Sequence, residues 1–428
     1  MTMTGNMTAI LAAAGATCAA LLAWFIAANV ALPERRLSRR PARLYGSSDG
    51  DFRRAFGVLL GPSILPGNRI TTLLNGDRIF PAMLEAIDAA EASITFETFI
   101  FRDAIASRFV RHLSAAARRG VKVHVLLDWV GAKAVAPDDL AALRAAGAEV
   151  ELYHPPVWHH LGRLNNRTHR KLLVVDGRIG FTGGVGIGHE WEGDAQDPRH
   201  WRDTHYRVEG PVVAQMQAAF MDNWIKATGS VLHGSAYFPP LAPCGPVEAQ
   251  MFASSPAGGS ESMHLMVLLA ITAAQRSIDI ENSYFVPDPL TIEALVQARA
   301  RGVRVRIVVP NRHTDAPWGR FAARALYDEL LAAGVEIYEY EPTMLHVKLM
   351  VVDERWVSLG SGNFDNRSFR LNDEANLNAF DSALAREQLA IVEADVAKSV
   401  RIAPRRWRRR RTTLRLYERA ALLLRSQL

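Results

Sequence analysis

Apolar and polar positions along this chain form two similar series of short segments. Apolar-rich runs bounded by glycine and charged residues predict buried strands, and the stretches between them predict helices. In the first series the strands are predicted at 93–101, 121–128 and 149–153, and the helices at 108–118 and 140–146. In the second series the strands are predicted at 277–286, 303–310 and 336–340, and the helices at 291–300 and 322–333. Strands alternating with helices at this spacing predict layered α/β units with a largely parallel sheet.

The two series are copies of one unit. The sequence RGVKV at 119–123 matches RGVRV at 301–305, and AAGAEV at 145–150 matches AAGVEI at 332–337. A duplicated α/β unit therefore makes up most of the chain.

Residues 7–32 contain no charged side chain over 26 positions. A helix needs about 20 apolar residues to cross a bilayer, so this segment predicts one N-terminal transmembrane helix. A cleavable signal peptide is the alternative, but it expects a basic start, and residues 1–6 carry no basic side chain. Five arginines at 35–43 follow the apolar segment. By the positive-inside rule they predict that the rest of the chain is cytoplasmic.

Length and composition indicate a globular protein with two main domains. The chain has 428 residues, 49% of them hydrophobic and 22% charged. A net charge of +6 is mildly basic, but arginines are concentrated at 35–43 and 401–411, which suits anionic phosphate surfaces of lipid or nucleic acid. Cys18 lies in the apolar segment and Cys244 is the other cysteine, so a disulfide framework is not expected and a reducing compartment is favoured.

The predicted domain boundaries follow these features. An N-terminal anchor with its basic flank occupies 1–45, the first repeat 46–235, the second repeat 236–400 and a basic amphipathic tail 401–428. Glycines and prolines in 44–66 predict a linker before the first strand.

The tail has two interpretations. Its arginine run surrounds Trp407, which is expected at a membrane interface. An apolar helix face follows at Leu414, Tyr417, Ala421, Leu424 and Leu428. This face either packs on the protein's own core or lies on a membrane.

Each repeat contains the same signature of histidine, lysine and aspartate. The first copy is His169, Lys171 and Asp176, and the second, 177 residues later, is His346, Lys348 and Asp353. Both copies fit H-x-K-x4-D and reach a glycine-rich turn seven residues after the aspartate. Two matches in equivalent settings predict one site built from two halves. Paired histidines backed by lysines suit phosphoryl chemistry, in which one imidazole attacks phosphorus and the other protonates the leaving alcohol.

The repeats differ in length beside this signature. They are offset by 187 residues at Gly147 and Gly334 but by 177 at the histidines, so the first repeat has ten extra residues within 154–168. This additional loop either shapes substrate access or is a tolerated surface insertion.

The doubled signature resembles the phospholipase D superfamily, and neighbouring residues are similar to its bacterial cardiolipin-synthase-like branch. The second signature is followed by GSGN at 360–363 and RSFRLNDE at 367–374. FETF at 96–99 and YFVPD at 284–288 are similar to the upstream strand segments of the branch. The resemblance covers about 68–400. It implies two tandem phospholipase-D-like α/β repeats related by pseudo-twofold symmetry.

The resemblance also implies roles for individual residues. His169 is expected to be the nucleophile and His346 the acid, with Lys171 and Lys348 stabilising the charge on the phosphate oxygens. Ser361 and Asn363 are expected to donate hydrogen bonds to these oxygens. Asp203 and Glu374 are the acids expected to orient the imidazoles. Asp176 and Asp353 are expected to support local structure.

One position departs from the family pattern. Gly186 stands where an asparagine is expected in the first repeat, so a phosphate donor is missing there. Either the acceptor pocket is changed or a water replaces the amide.

Two other site types are not favoured. The glycines at 183–188 lack the spacing of a dinucleotide-binding loop, because residue 189 is His. Seven histidines lie between 154 and 205, but there is neither an H-E-x-x-H motif nor a cysteine cluster, so zinc is not expected.

The resulting hypothesis is a phosphatidyltransferase that makes cardiolipin from phosphatidylglycerol, without a cofactor, at the bacterial inner membrane. Anionic phospholipids are the expected partners, with phosphatidylethanolamine as another donor, and nucleic acid is not expected. The alternative is a phospholipase D-type hydrolase of phosphodiesters, since the sequence does not distinguish water from a lipid alcohol as the acceptor.

Overall fold

The computed structural model describes residues 3–30, 37–155, 165–256 and 261–427. The helices are α1 (Met3–Val30), α2 (Gly50–Leu60), α3 (Asn75–Asp88), α4 (Asp103–Arg118), α5 (Pro137–Ala145), α6 (Val213–Thr228), α7 (Ser262–Ala273), α8 (Pro289–Ala300), α9 (Pro317–Ala332), α10 (Asn366–Arg370), α11 (Ser382–Ala397), α12 (Pro404–Arg408) and α13 (Thr412–Ala421). Short 3₁₀ helices lie at His189–Trp191 and Leu422–Gln427.

The strands are β1 (Leu65–Leu74), β2 (Ser93–Thr98), β3 (Lys122–Asp128), β4 (Glu149–Tyr153), β5 (Arg167–Thr168), β6 (Leu172–Val175), β7 (Ile179–Gly183), β8 (Thr204–Glu209), β9 (Val247–Ser254), β10 (Ser277–Asn282), β11 (Arg304–Pro310), β12 (Glu336–Tyr340), β13 (Lys348–Val352), β14 (Trp356–Gly360), β15 (Asn372–Phe380) and β16 (Ser399–Arg401). Each strand and helix predicted for the two repeats is present, with shifts of a few residues at its ends. The helix predicted from 322 begins at Pro317, because a proline at the first helical position sacrifices no internal hydrogen bond.

The described strands form one sheet whose order is β16-β12-β11-β10-β13-β14-β15-β9-β1-β8-β7-β6-β2-β3-β4. The two halves mirror each other about the antiparallel β1–β9 pair. The prediction of two tandem α/β repeats is confirmed, and this strand order is that of a pseudo-twofold arrangement.

The prediction of a largely parallel sheet is wrong. Only β2-β3-β4 and β10-β11-β12 run parallel along the path of the described sheet, and its other pairings are antiparallel. The reason is a short turn after each signature, at Asp176-Gly177 and at Asp353-Glu354, where all four residues have positive φ. A turn this short can join only antiparallel strands.

Helices cover both faces of the sheet. On one face, α3 to α5 and α7 to α9 each cover the apolar core of their own repeat. On the other face, α6 and α11 lie over a third core that contains residues of both repeats, such as Trp224 and Leu384. This shared core holds the repeats together.

The linker predicted at 44–66 contains a helix instead. Phe52, Phe56 and Leu60 are buried on one side of α2, four residues apart, and pack with the core of the second repeat. This spacing is a helical apolar stripe, which the nearby glycines and prolines obscured.

The N-terminal helix α1 runs from Met3 to Val30, and its large apolar side chains at Leu11, Leu21 and Trp24 are exposed. No helix in the described part of the chain combines the length and apolarity needed to cross a membrane. The predicted segment 7–32 extends beyond the described residue 30, and its membrane crossing stays a prediction.

The tail packs on the protein. Trp407, predicted at a membrane interface, is instead buried against Tyr327, and its indole N–H donates to Asp328 at 2.6 Å. Ala421 is also buried, whereas Tyr417 is exposed. The side chains of residues 424 and 428 lie outside the described set.

Candidate active site

Both signature histidines lie where one repeat pairs with the other. β5, just before His169, runs parallel to the start of β15, and the His169 backbone N–H donates to the Asp373 carbonyl at 2.9 Å. In the equivalent contact the His346 backbone N–H donates to the Arg202 carbonyl at 2.7 Å. Each contact therefore places a histidine beside the residue that follows the acceptor in the other repeat. Glu374 follows Asp373, and Asp203 follows Arg202.

Those following residues are the two predicted acids. Nδ1 of His169 lies 3.0 Å from Oε1 of Glu374, and Nδ1 of His346 lies 2.7 Å from Oδ2 of Asp203. All four side chains are buried. With Nδ1–H donating to a carboxylate, Nε2 of each imidazole is the nitrogen left for a substrate.

The hydrogen bonds around Glu374 correct one expectation. The hydroxyl of Ser361 donates to Oε2 of Glu374 at 2.5 Å, and that of Ser368 donates to Oε1 at 2.6 Å. Ser361 was expected to face phosphate oxygens, but it is fully buried and holds the carboxylate that orients His169.

The two lysines have different surroundings. Lys348 donates to the hydroxyl of Ser283 at 2.7 Å, and that hydroxyl donates to the side-chain carbonyl of Asn363 at 3.1 Å. Lys171 donates to the His169 carbonyl at 2.7 Å, and its ammonium lies 5.7 Å from the Phe99 ring centre. Lys348 likewise donates to the His346 carbonyl at 2.6 Å and lies 5.9 Å from the Tyr284 ring centre, so the half-sites differ in the additional Ser283 and Asn363 contacts of the second.

The structure explains the departure at Gly186. A Cβ at this position would lie 3.0 and 3.1 Å from two ring atoms of Trp191 and 2.9 Å from Ile100. The indole thus fills space beside residue 186, and its N–H donates to Oδ2 of Asp203 at 3.0 Å. Trp191 supports the carboxylate that orients His346.

Burial dominates the protonation of the site. It lowers the pKa of His169 and of His346 to about 4, against the attraction of their acid partners. Burial also lowers the pKa of Lys171 to about 7 and that of Lys348 to about 8. A bound phosphodiester would raise all four, because a nearby negative charge favours the protonated form.

The two acids behave in the opposite way. Burial acts to raise the pKa of Asp203 and Glu374, but the imidazole and the ammonium beside each carboxylate hold it below its usual value. Both carboxylates are therefore ionised at neutral pH and can stabilise an imidazolium.

A cavity of about 290 Å³ is lined by both signature histidines and by Lys171. It is lined by Phe99, Ile100, Arg102, Arg167, His169, Lys171, Trp191, Trp201, Tyr284, Val286, Asp315, Ala316, Gly319, His346, Asn363, Asp365, Arg367 and Asn372. No sequence pattern predicted a role for the aromatic and arginine side chains of this cavity. Phe99, Tyr284 and Arg367 lie in family-like segments, but Trp191 and Trp201 lie in a loop without a periodic pattern.

The signature aspartates lie away from this cavity. Asp176 accepts the backbone N–H groups of Glu91, Ala92 and Ser93 at 2.7–3.2 Å. Asp353 accepts those of residues 275–277 at 2.6–2.8 Å. Each aspartate ties the turn after its signature strand to the beginning of a neighbouring strand.

The histidines between 154 and 205 do not gather into one cluster in the described part of the chain. One group there, Asp103, His189 and Glu190, brings three potential metal-ligand atoms together. Arg102 pairs with Glu190 and lies 3.7 Å from Asp103, so a cation already neutralises these carboxylates.

The fold and the paired histidines define a phosphodiester-processing protein of the phospholipase D class. A family profile described as "Cardiolipin synthase, PLD-like domain" matches residues 83–195 and 267–396. Cardiolipin synthase A of Pseudomonas fluorescens Pf-5 is 36% identical over 396 residues, which cover 91% of this chain and 80% of the relative. Cardiolipin synthase A of Pseudomonas aeruginosa LESB58 is 37% identical, with 79% of this chain and 69% of the relative covered. The chain belongs to the cardiolipin synthase family of phospholipase D-like phosphatidyltransferases.

Solved structures show the same fold. Phosphatidylserine synthase of Haemophilus influenzae Rd KW20 matches with a TM-score of 0.66 at 15% identity, over 89% of this chain and 100% of that one. Polyphosphate kinase of Porphyromonas gingivalis matches with a TM-score of 0.52 at 16% identity, over 79% of this chain and 48% of that one. At these identities the likeness concerns the fold alone.

Proposed function

We propose that the protein transfers a phosphatidyl group from phosphatidylglycerol to the hydroxyl of a second phosphatidylglycerol, making cardiolipin. The observation that carries this proposal is the pair of crossed histidine–carboxylate contacts beside one cavity, with a lysine next to each histidine. Phosphatidylethanolamine is an alternative donor. Family membership supports a lipid substrate.

The reaction has two displacements at phosphorus. Nε2 of His169 attacks, the bond from phosphorus to the head-group oxygen breaks, and His346 gives its proton to the departing alcohol. The hydroxyl of the acceptor lipid then attacks the phosphatidyl-histidine, His346 takes the hydroxyl proton, and the N–P bond breaks. With phosphatidylglycerol as donor and acceptor, the products are cardiolipin and glycerol.

The surrounding groups lower both barriers. Lys171 and Lys348 offset the negative charge that grows on the non-bridging oxygens, and the Asn363 amide offers a neutral donor. Glu374 stabilises the imidazolium formed on His169, and Asp203 does so on His346. A bound diester raises the pKa of His346 from about 4, which prepares it to act as an acid.

Labelled phosphatidylglycerol supplied in vesicles tests the proposal. We expect labelled cardiolipin and free glycerol. If phosphatidic acid is the dominant product, the reaction is hydrolysis rather than transfer, because water is then the acceptor. If the donor lipid is consumed but no combination of donor and acceptor lipids yields cardiolipin, the synthase assignment is wrong.

We also propose that residues 7–32 anchor the chain in the bacterial inner membrane, with both repeats in the cytoplasm. The uncharged 26-residue segment, the helix Met3–Val30 and the arginines that follow support this topology. The domain boundaries after residues 45, 235 and 400 are part of the same proposal. An alkaline phosphatase fusion after Leu428 should be inactive and a green fluorescent fusion bright. The reverse pattern would place the repeats outside the cytoplasm.

A further inference from the structure

The C-terminal tail is fixed along α9 by polar contacts. The Arg410 guanidinium donates to Asp328 at 3.1 Å, and Arg324 donates to Glu418 at 3.1 Å. The tail therefore runs antiparallel to α9, from its C-terminal half toward its beginning. Because these contacts hold one side of α13 against α9, the opposite side of α13 faces away from α9.

That outward side is apolar. Leu416 is 61% exposed, Tyr417 60% and Leu423 84%, and Trp318 in the first turn of α9 is 54% exposed. Four large apolar side chains on neighbouring elements are more than the isolated exposed residues of an ordinary surface, and such a group marks an interaction surface.

Positive charge lies along the same tail as this apolar group. Exposed arginines of the tail lie at 405, 406, 408, 409, 411 and 419. None of these six forms an ion pair with another residue in the described ranges, and Glu418, the single acid in 404–428, is buried against Arg324 and Arg410. Exposed apolar side chains and unpaired arginines on one tail complement an anionic bilayer, in which the side chains enter the interface and the guanidinium groups meet phosphates.

This surface adjoins the cavity. Ala316 and Gly319, on both sides of Trp318, line the cavity wall. At the other end of the tail, the Asn366 side chain donates to the Arg425 carbonyl at 2.8 Å, directly between the cavity residues Asp365 and Arg367. A lipid head group at the docking surface would therefore be next to the mouth of the reactive cavity.

The chain from the N-terminal helix arrives on the same side. The Leu37 backbone N–H donates to Glu261 at 3.0 Å, and Glu261 pairs with Arg370 of α10 at 2.8 Å. Since α10 also contacts the end of the tail at Asn366, the first described residue after α1 and the tail approach one another.

We propose that Trp318, Leu416, Tyr417, Leu423 and the tail arginines dock the protein on an anionic phospholipid bilayer, so that the cavity opens toward the lipid surface. A second copy of this chain fits the surface poorly, because like arginine clusters would face each other. The proposal rests on the proposed function only for the identity of the lipid that enters, and docking is measured without turnover.

Site-specific quenching in vesicles tests the proposal on the full chain. In a Cys18→Ala, Cys244→Ala background, an environment-sensitive fluorophore is placed at Leu416→Cys or Leu423→Cys, and the protein is reconstituted with phosphatidylglycerol and brominated phosphatidylcholine. The matched control is Val231→Cys, which is similarly exposed at 60% and follows α6, on the face of the sheet opposite α9. We expect brominated chains to quench the tail labels by roughly half and to leave the control label unchanged.

The charge contribution is tested by replacing Arg405, Arg406, Arg408 and Arg409 with Gln. We expect loss of most quenching at Leu423→Cys, as is also expected at high salt. A control with four other exposed arginines replaced by Gln, those at 78, 108, 111 and 118, should keep it.

Quenching at 416 and 423 no greater than at 231 overturns the docking surface, even if cardiolipin is formed. Quenching without any cardiolipin retains the surface and rejects the proposed function instead.

Discussion

His169 and His346 have the same backbone pairing but different side-chain neighbours. The His169 ring meets the Phe99 ring edge-on, with 5.5 Å between the ring centres. His346 stacks on Trp201 and meets Trp191 edge-on, both at 5.2 Å between ring centres. The aromatic clamp and the indole bond to Asp203 hold His346 in one orientation, as an acid that must act on a departing oxygen requires.

Replacing Trp191 with Phe should change the pH dependence of the reaction. Loss of the indole N–H concentrates the negative charge of Asp203 on His346 and raises the pKa of that imidazole. The alkaline limb of kcat/KM, where the acid loses its proton, should then move to higher pH. Trp129→Phe, outside the cavity, is the control. An unchanged limb together with a lower rate would leave Trp191 only a packing role.

Anion binding should weaken as the pH rises. Lys171 and Lys348, with pKa values of about 7 and 8 in the empty site, must be protonated beside a bound anion, which raises both values. The contribution of the lysines to tungstate affinity is therefore full below pH 7 and is lost as the pH passes the raised values. Calorimetry in two buffers of different ionisation enthalpy should show proton uptake on binding near pH 8. Equal affinity at pH 6 and pH 9 would contradict the low lysine pKa values.

At this scale the side chains that meet at the candidate site were predictable from the sequence, but the residues that support them were not. The signature repeats identified both histidines and lysines because their spacing is shared. The role of Trp191 was not predictable, because its indole packs against Gly186 and donates a hydrogen bond to Asp203. These segments come into contact only in the folded chain.

Among the elements, the turns after the signature strands depend on their aspartates. Asp176 and Asp353 adopt positive φ and each accepts three backbone N–H groups from the start of a neighbouring strand. Conservation of this arrangement in both repeats gives the sheet its order on either side of β1–β9.

Asp176→Ala should therefore reduce stability more than chemistry. Asp176→Ala leaves the partly buried N–H groups of Ala92 and Ser93 without their acceptor, at about 1–2 kcal/mol each, so we expect a loss of roughly 2–4 kcal/mol in the free energy of unfolding. Urea denaturation measures this loss, with the exposed Glu91→Ala as control. Normal stability with abolished turnover would instead give the aspartate a part in the reaction.

The repeat elements were predictable because strongly apolar strands and amphipathic helices have clear periods. The antiparallel direction of β13 and β14 was less visible, since it follows from a turn of a few residues at Asp353. The helix α2 was not predicted because its apolar stripe of Phe52, Phe56 and Leu60 is flanked by turn residues. The core of the second repeat, on which this stripe packs, is also distant in sequence.

For the whole molecule, the crossing of the two repeats is decisive. Each histidine receives its acid from the other repeat, so neither half contains a complete pair. The sequence indicated one site from two halves, but this crossing appears only when β5 meets β15 and the Arg202 segment meets His346.

The crossed acids should respond differently to the leaving group. Asp203→Asn weakens His346, the proposed acid for the leaving alcohol, so turnover of phosphatidylglycerol should fall by about 10²-fold or more. A phosphatidyl ester of p-nitrophenol needs little protonation, and its cleavage should fall by less than about 10-fold. Glu374→Gln weakens His169, the proposed nucleophile, and should slow both substrates. Equal losses for the two substrates in Asp203→Asn would contradict the assignment of His346 as the acid.

The central claim is that one site made by both repeats passes a phosphatidyl group through His169. The most direct test treats His346→Ala and His169→Ala with phosphatidyl p-nitrophenol and locates the lipid label on the protein by mass spectrometry. The account predicts a phosphatidyl adduct on His169 in His346→Ala and no adduct in His169→Ala. An adduct on His346 in the His169→Ala protein would contradict it.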